Sequence, residues 1–229
     1  MHRREFIKKI ILFSLPFVFV KMKIMANSIF KPFNLKNGIF VNNYISHKNN
    51  FKDFWKWRIE SKKPEPIEFP LAKNNSKYLK SNKSEKTITW IGHSTFLLQI
   101  DGINILTDPH FTKRASPLSF AGPSRTTPPG LKLEDLPFID FVLISHNHYD
   151  HLDKKTIQLL LKKQNLNQPV FFVPLKLKKI ISKLGAKNIF EHEWWQMSMF
   201  KNLEIHSVPV QHWSKRTFND TNKTLWCGW

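Results

Sequence analysis

From residue 87 onward, apolar residues fall into short runs separated by turn formers. Thr87-Ile88-Thr89-Trp90-Ile91 and Thr95-Phe96-Leu97-Leu98-Gln99-Ile100 are rich in β-branched and aromatic residues and predict two strands. Asp101-Gly102 is a strong tight-turn pair, and Ile103-Asn104-Ile105-Leu106-Thr107 returns as a third strand. A proline-rich loop follows, and Ile139-Asp140-Phe141-Val142-Leu143-Ile144 then predicts a buried strand. Asp153 can cap a helix over 154–163 that places Ile157, Leu160 and Leu161 on one face. Val170-Phe171-Phe172-Val173 predicts a short buried strand, and 175–184 repeats the helical period until Gly185 stops it. A last strand is predicted over 203–210, ending at Gln211-His212-Trp213. Strands alternating with helices after an initial hairpin predict an α/β sandwich in which helices cover sheets.

The first 85 residues follow a different pattern. Arg3-Arg4-Glu5-Phe6-Ile7-Lys8-Lys9 precedes an uncharged apolar run over 10–20, too short for a comfortable membrane span. Residues 1–26 therefore read as a twin-arginine-like signal or membrane tether, which places the protein in the cell envelope or periplasm, with the cytoplasm as the alternative. Residues 27–85 read as an N-terminal extension whose aromatics Phe51, Phe54, Trp55 and Trp57 pack on the domain, with a loop around Lys63-Pro64-Glu65-Pro66. The domain proper is expected over 86–229.

Composition narrows the classes. The chain has 229 residues, 41% hydrophobic with 20 Phe and 8 Trp, enough for a packed core. One cysteine, Cys227, excludes an internal disulfide framework and a thiolate metal cage. A formal net charge of +19 favours anionic partners. Its lysines are scattered rather than gathered into an arginine-rich stripe with interleaved aromatics, so nucleic-acid binding is the minority reading.

The chemistry concentrates in Ser145-His146-Asn147-His148-Tyr149-Asp150-His151-Leu152-Asp153, directly after the 139–144 strand. Neutral imidazole with carboxylate suits Zn²⁺, Fe²⁺ or Mn²⁺. In extended backbone, residues two apart point the same way, so His146 and His148 can grip one ion. Asp150 and His151 lie past a bend, where they can face a second ion; they are also the candidate catalytic residues. His212, closing a later strand, is the expected further ligand of the first ion. Asp108, in Thr107-Asp108-Pro109, reads either as a carboxylate that orients a ligating imidazole or as a simple turn residue. His93 follows Gly92 between two strands and reads as a turn or core histidine, His192 and His206 as structural or exposed, and Trp194-Trp195 as core.

With Thr89-Trp90-Ile91-Gly92-His93-Ser94-Thr95, Leu106-Thr107-Asp108-Pro109, Ser116-Pro117, Gly122-Pro123-Ser124-Arg125, Pro128-Pro129-Gly130, Glu193-Trp194-Trp195, Gln211-His212-Trp213-Ser214 and Thr224-Leu225-Trp226, the motif resembles a metallo-β-lactamase-fold hydrolase. Within that superfamily it is similar to the N-acylphosphatidylethanolamine-hydrolysing phospholipase D branch and its bacterial relatives. The resemblance runs from about Phe54 to the end of the chain. It implies a four-layer αββα sandwich, two zinc ions, and hydrolysis of a phosphodiester or related ester by a metal-bound hydroxide. By position, the family's metal residues fall on His146, His148, Asp150, His151 and His212, with Asp108 as the supporting aspartate. The implied substrate is a phospholipid or other anionic ester, and the implied setting includes association with a membrane surface. Lys215 and Arg216 are expected near the mouth, where they would favour an anionic head group.

The resemblance also implies a bridging aspartate and a further histidine beyond Trp229. The expectation is therefore a truncated or split member, with most of the second sheet and its helices missing and one apolar face of the first sheet exposed. Such a chain would bind metal weakly and have little activity until complemented by a separate C-terminal fragment, or would be an inactive remnant. The same fold acting on a lactone or sugar-phosphate ester is the alternative enzyme.

Overall fold

A computed structural model describes residues 34–44, 51–61 and 70–229. The signal or tether expected over 1–26 and the loop at 63–66 lie outside the described residues. A two-stranded ladder comes first, β1 (Leu35–Lys36) with β2 (Ile39–Phe40), then helices α1 (Phe51–Glu60) and α2 (Ser76–Ser81). Trp55 of α1, one of the aromatics expected to pack on the domain, is half exposed.

The main sheet has six strands in the order β3 (Thr87–Gly92), β4 (Thr95–Ile100), β5 (Ile103–Thr107), β6 (Phe141–Leu143), β7 (Val170–Pro174) and β8 (Ile189–His192). β3, β4 and β5 pair antiparallel, as tight turns allow; β5 through β8 pair parallel, which requires crossovers. At the β4–β5 turn Asp101 and Gly102 both take positive φ (50° and 75°), the geometry expected of this pair. The β6–β7 crossover is α3 (Lys154–Lys163), matching the expected helix at both ends. The β7–β8 crossover is α4 (Lys178–Ser182), shorter than the periodicity predicts because Pro174 ends β7 and Lys176 adopts a left-handed φ of 69°.

One face of the sheet, presenting Leu97, Leu106, Val142, Phe171 and Val173, packs against Ile157, Leu160 and Leu161 of α3, Ile181 of α4 and Leu79 of α2. Between β5 and β6 no α-helix crosses; Leu131, Leu133, Leu136 and Ile139 of the connecting loop fill that place. The opposite face was expected bare, and much of it is covered. β9 (Met197–Phe200) and β10 (Leu203–His206) form a hairpin that buries Ile205 with Ile103, Ile105, Phe141 and Phe172. Phe141 lies edge-on to Phe172 at 5.4 Å and tilted to Phe200 at 4.9 Å, and Trp229 packs on the same cluster. The strand predicted over 203–210 stops at His206; beyond it Val208 makes only an isolated bridge to Gly228. These layers agree with the α/β expectation: a mixed sheet with helices on one side.

The element nearest the histidine motif is held by Asp153. Its Oδ1 accepts from the Lys155 and Thr156 amides at the start of α3, and its Oδ2 accepts from Thr156 Oγ1 (2.6 Å) and from the Thr112 amide in the long loop (3.1 Å). A buried carboxylate with four donors is both a helix cap and a loop anchor. Replacing Asp153 with Ala should lower unfolding stability by about 2 kcal/mol, with Asn recovering part of it. Urea denaturation of the three proteins checks this.

Candidate metal centre

The parallel strands set the position of the site, since loops leaving their carboxyl ends converge there. β5 delivers Asp108, β6 delivers Ser145 to His151, and the loop after β10 delivers His212. The β3–β4 turn adds His93, whose backbone takes a positive φ of 50°.

Asp108 is the buried acceptor beneath the motif. Its Oδ1 accepts from the Ser145 amide (2.7 Å), and its Oδ2 accepts from Ser145 Oγ (2.6 Å) and faces His151 Nδ1 at 2.8 Å. A carboxylate has no proton to give, so His151 must carry its hydrogen on Nδ1 and leave Nε2 as a free lone pair. Ser145 Oγ spends its one hydrogen on Asp108 and lies 2.8 Å from His146 Nδ1, so the same logic puts the His146 hydrogen on Nδ1 and its lone pair on Nε2. One carboxylate thus sets two tautomers.

Those lone pairs face two adjacent groups of donors. In the first, His146 Nε2 is 2.8 Å from His148 Nδ1 and 3.0 Å from His212 Nε2. In the second, His93 Nε2 lies 2.8 Å from Asp150 Oδ2 and 3.3 Å from His151 Nε2, which is itself 3.6 Å from Asp150 Oδ2. Within each group the ligand atoms all lie within 4.8 Å of one another. The rings of His146 and His151 are only 4.1 Å apart, so the two groups share a wall.

Burial pushes His146 down to about 2 and His148 to about 4, with neighbouring imidazoles adding to the effect, and it lowers His212 likewise. Desolvation works to raise Asp150, but the hydrogen bond with His93 and the charge of His151 outweigh it and hold the carboxyl well below its usual range. The same hydrogen bond raises His93. The neutral imidazoles of the first group and the ionised Asp150 are the states that bind cations, whereas His93 must release a proton to do so. The first group fits a cation on its own geometry as well. Nε2 of His146, Nδ1 of His148 and Nε2 of His212 converge, and the His146 nitrogen is already fixed as a lone pair by Ser145, so a cation suits the set.

The structure brings together the residues expected from the motif, His146, His148 and His212 in one group and Asp150 and His151 in the other, with Asp108 behind His151. It also corrects several readings. His93, read as a turn or core histidine, faces Asp150 and His151; the signal available was its place at a tight strand–strand turn, which does not say which loop it faces. Arg216, expected at the mouth, is spent on structure: it donates to the carbonyls of Asn147 (2.8 Å) and Leu152 (2.7 Å) and stacks on Tyr149 at 4.0 Å. Asn147 Oδ1 accepts from the Lys215 amide, so the His212 loop is pinned to the motif at two points. Asn42, after β2, exchanges hydrogen bonds with the His212 backbone (2.8 and 3.1 Å). His192 is buried against Ser198, and His206 is exposed beside Glu204, as expected of structural histidines. Of the two tryptophans read as core, Trp194 is buried and Trp195 is 67% exposed.

A family model described as a beta-lactamase superfamily domain matches residues 103–229, and the chain belongs to this superfamily. Over 151 residues it is 42% identical to N-acyl-phosphatidylethanolamine-hydrolyzing phospholipase D 1 of Caenorhabditis elegans, covering 62% of this chain and 42% of that protein. It is 36% identical to the mitochondrial N-acyl-phosphatidylethanolamine-hydrolyzing phospholipase D of Saccharomyces cerevisiae, over 61% of this chain and 30% of that one. A metal-dependent hydrolase of Methanopyrus kandleri is 37% identical over 56% of this chain and 48% of its own length. The chain thus spans less than half the length of these relatives. His93 lies outside the segment that the family model matches.

The depressed histidines carry a pH signature in the metal-free protein. An unfolded histidine titrates near 6.5, whereas folded His148 and His146 resist protonation until about 4 and about 2. Below pH 6.5 the unfolded chain binds protons that the native state refuses, so stability falls as pH falls toward those values. Chemical denaturation of chelator-treated protein at about pH 7 and about pH 5 should show the lower midpoint at pH 5. His146→Gln should make that dependence shallower.

Proposed function

We propose that this chain is a zinc-dependent hydrolase of phosphodiester or related ester bonds, of the phospholipase D type. The observation that carries the reading is the pair of abutting donor groups fed by one motif, with lone pairs turned into a common space by Asp108 and Ser145. The relatives' printed activities favour a phospholipid diester as the substrate.

In this reading His146, His148 and His212 hold one zinc ion, and Asp150, His151 and His93 hold a second beside it. Nitrogen-rich sets of this kind suit zinc, with the carboxylate confined to one side. Bound there, the metal pair would activate water and offset charge developing on the phosphoryl oxygens. The protein's own groups do the rest. Asp108 keeps the His151 hydrogen on Nδ1 and the ring in one orientation, and Ser145 does the same for His146. Asp150, held ionised, is placed so that the carboxylate oxygen not turned to the second ion can accept a proton from a water molecule at the rim. Arg216 and Asn147 fasten the His212 loop, so that the first group keeps its geometry without help from the ion.

A second reading, in which a further protein segment completes the site, is favoured by the exposure of the second group: the His93 and Asp150 side chains are 48% and 38% exposed. The two readings differ in what the isolated chain does.

Elemental analysis of purified protein should find zinc, and the zinc-loaded chain should hydrolyse N-acylphosphatidylethanolamine in mixed micelles. His148→Ala should remove one equivalent of zinc and lower turnover by about 100-fold or more. Full zinc loading without turnover on any phosphodiester would overturn the hydrolase reading. Turnover that appears only when a C-terminal segment of a relative is added would favour the second.

A further inference from the structure

Beside the second donor group lies a cavity of about 360 Å³ whose wall includes His93 and Asp150. Trp90 and Ile91 make part of its lining apolar, and the long loop after β5 contributes His110 and Arg125. Arg125 is partly buried there in an unusual state. Its backbone is tied down, with the amide donating to the Lys113 carbonyl (2.7 Å). One end nitrogen, Nη2, meets both the carbonyl and Nδ1 of His110. Its Nε is buried without a partner, and among the described residues no carboxylate lies within ion-pair distance of the guanidinium. A sequestered guanidinium that only holds a loop normally has its charge paired or its donors filled.

The position of the charge matters as much as its isolation. A Cβ on Gly92 would sit 2.6 Å from Arg125 Nη1, so the guanidinium lies directly over the backbone that carries His93. The long loop thereby sets a cation beside the donor group. With Nη2 on His110 and Nε buried, Nη1 is the end nitrogen left to donate to a charged oxygen of a phosphodiester. Asp150 lines the same cavity and would repel an anion by itself, so the site requires the cation that the second group is read as holding.

We propose that Arg125 is the anion-recognition residue of this cavity, taking a charged oxygen of a phosphodiester seated between the cavity and the His93–Asp150–His151 group. The inference rests on the reading of that group as a metal site of a phosphodiester hydrolase. Arg125 selects and positions; it moves no proton.

The test is titration of the zinc-loaded chain with dimethyl phosphate, followed by calorimetry at low salt, for the wild type, Arg125→Gln and Arg125→Lys, with zinc content measured for each. Arg125→Gln should bind about tenfold more weakly or worse at unchanged zinc content, and Arg125→Lys several-fold more weakly, because charge remains but the anchoring of the donor by His110 is lost. Wild-type affinity in Arg125→Gln, or no binding by the wild type, overturns the proposal. If Arg125→Gln does not fold, Arg125→Lys decides, and affinity equal to the wild type overturns it. A purely structural role would lower thermal midpoints and leave affinity per folded molecule unchanged, which also overturns it. Arg125-dependent binding in a protein that hydrolyses no phosphodiester sustains the anion site and removes only the hydrolase reading.

Discussion

Asp108 is the constraint on which the site depends. It stands at the end of β5 with a left-handed φ of 33°, and its carboxylate takes the amide and hydroxyl of Ser145 and the ring of His151. These bonds join the end of one parallel strand to the loop leaving the next. They also decide which nitrogen of His151 and, through Ser145, of His146 carries hydrogen. Without that anion, His151 could hold its proton on either nitrogen, and Ser145 Oγ would have no fixed direction for its own. Proton placement at His146 and His151 therefore descends from a single buried carboxylate.

The charge of the molecule has two scales. At long range, 36 Lys and Arg against 17 Asp and Glu make the surface strongly basic. Near the donor groups, the groups with clear assignments are paired or desolvated: Arg216 is bound into backbone carbonyls, His146 and His148 are neutral by burial, and Asp150 is ionised against His93. Surface charge can draw an anion near, but it does not position one. Short-range positioning must come from cations in contact with the site, which is why the state of Arg125 carries weight.

Support for the site comes from parts of the chain far apart in sequence. Asn42 holds the backbone of His212, 170 residues away, and Trp226 Nε1 reaches both the Val210 carbonyl and Asn42 Oδ1. Phe40, Trp194, Leu225 and Trp226 form a separate buried cluster beneath those contacts. The small β1–β2 ladder thus belongs to the platform of the His212 loop, and the segment preceding the main sheet is structurally coupled to the metal-ligand candidate it neighbours.

Strongly periodic segments were legible from the sequence. The β3–β4–β5 meander, the Asp101-Gly102 turn and the α3 helix follow from local alternation, turn chemistry and a cap, all determined within a few residues. The motif at 145–153 announced a cation site for the same reason: its donors are close in sequence. Short mixed segments such as Ile189–His192 and Met197–Phe200 left no comparable signal, because their strand character comes from neighbours across the sheet and over its face. Local chemistry by itself determined that four of the donors, His146, His148, Asp150 and His151, belong together. Only the tertiary structure decided that His93 joins them, that Arg216 is bound to the carbonyls of Asn147 and Leu152, and that Arg125 lines the cavity beside His93 and Asp150. Those assignments depend on where long loops pass over the carboxyl ends of the sheet, which is set by packing between residues distant in the chain.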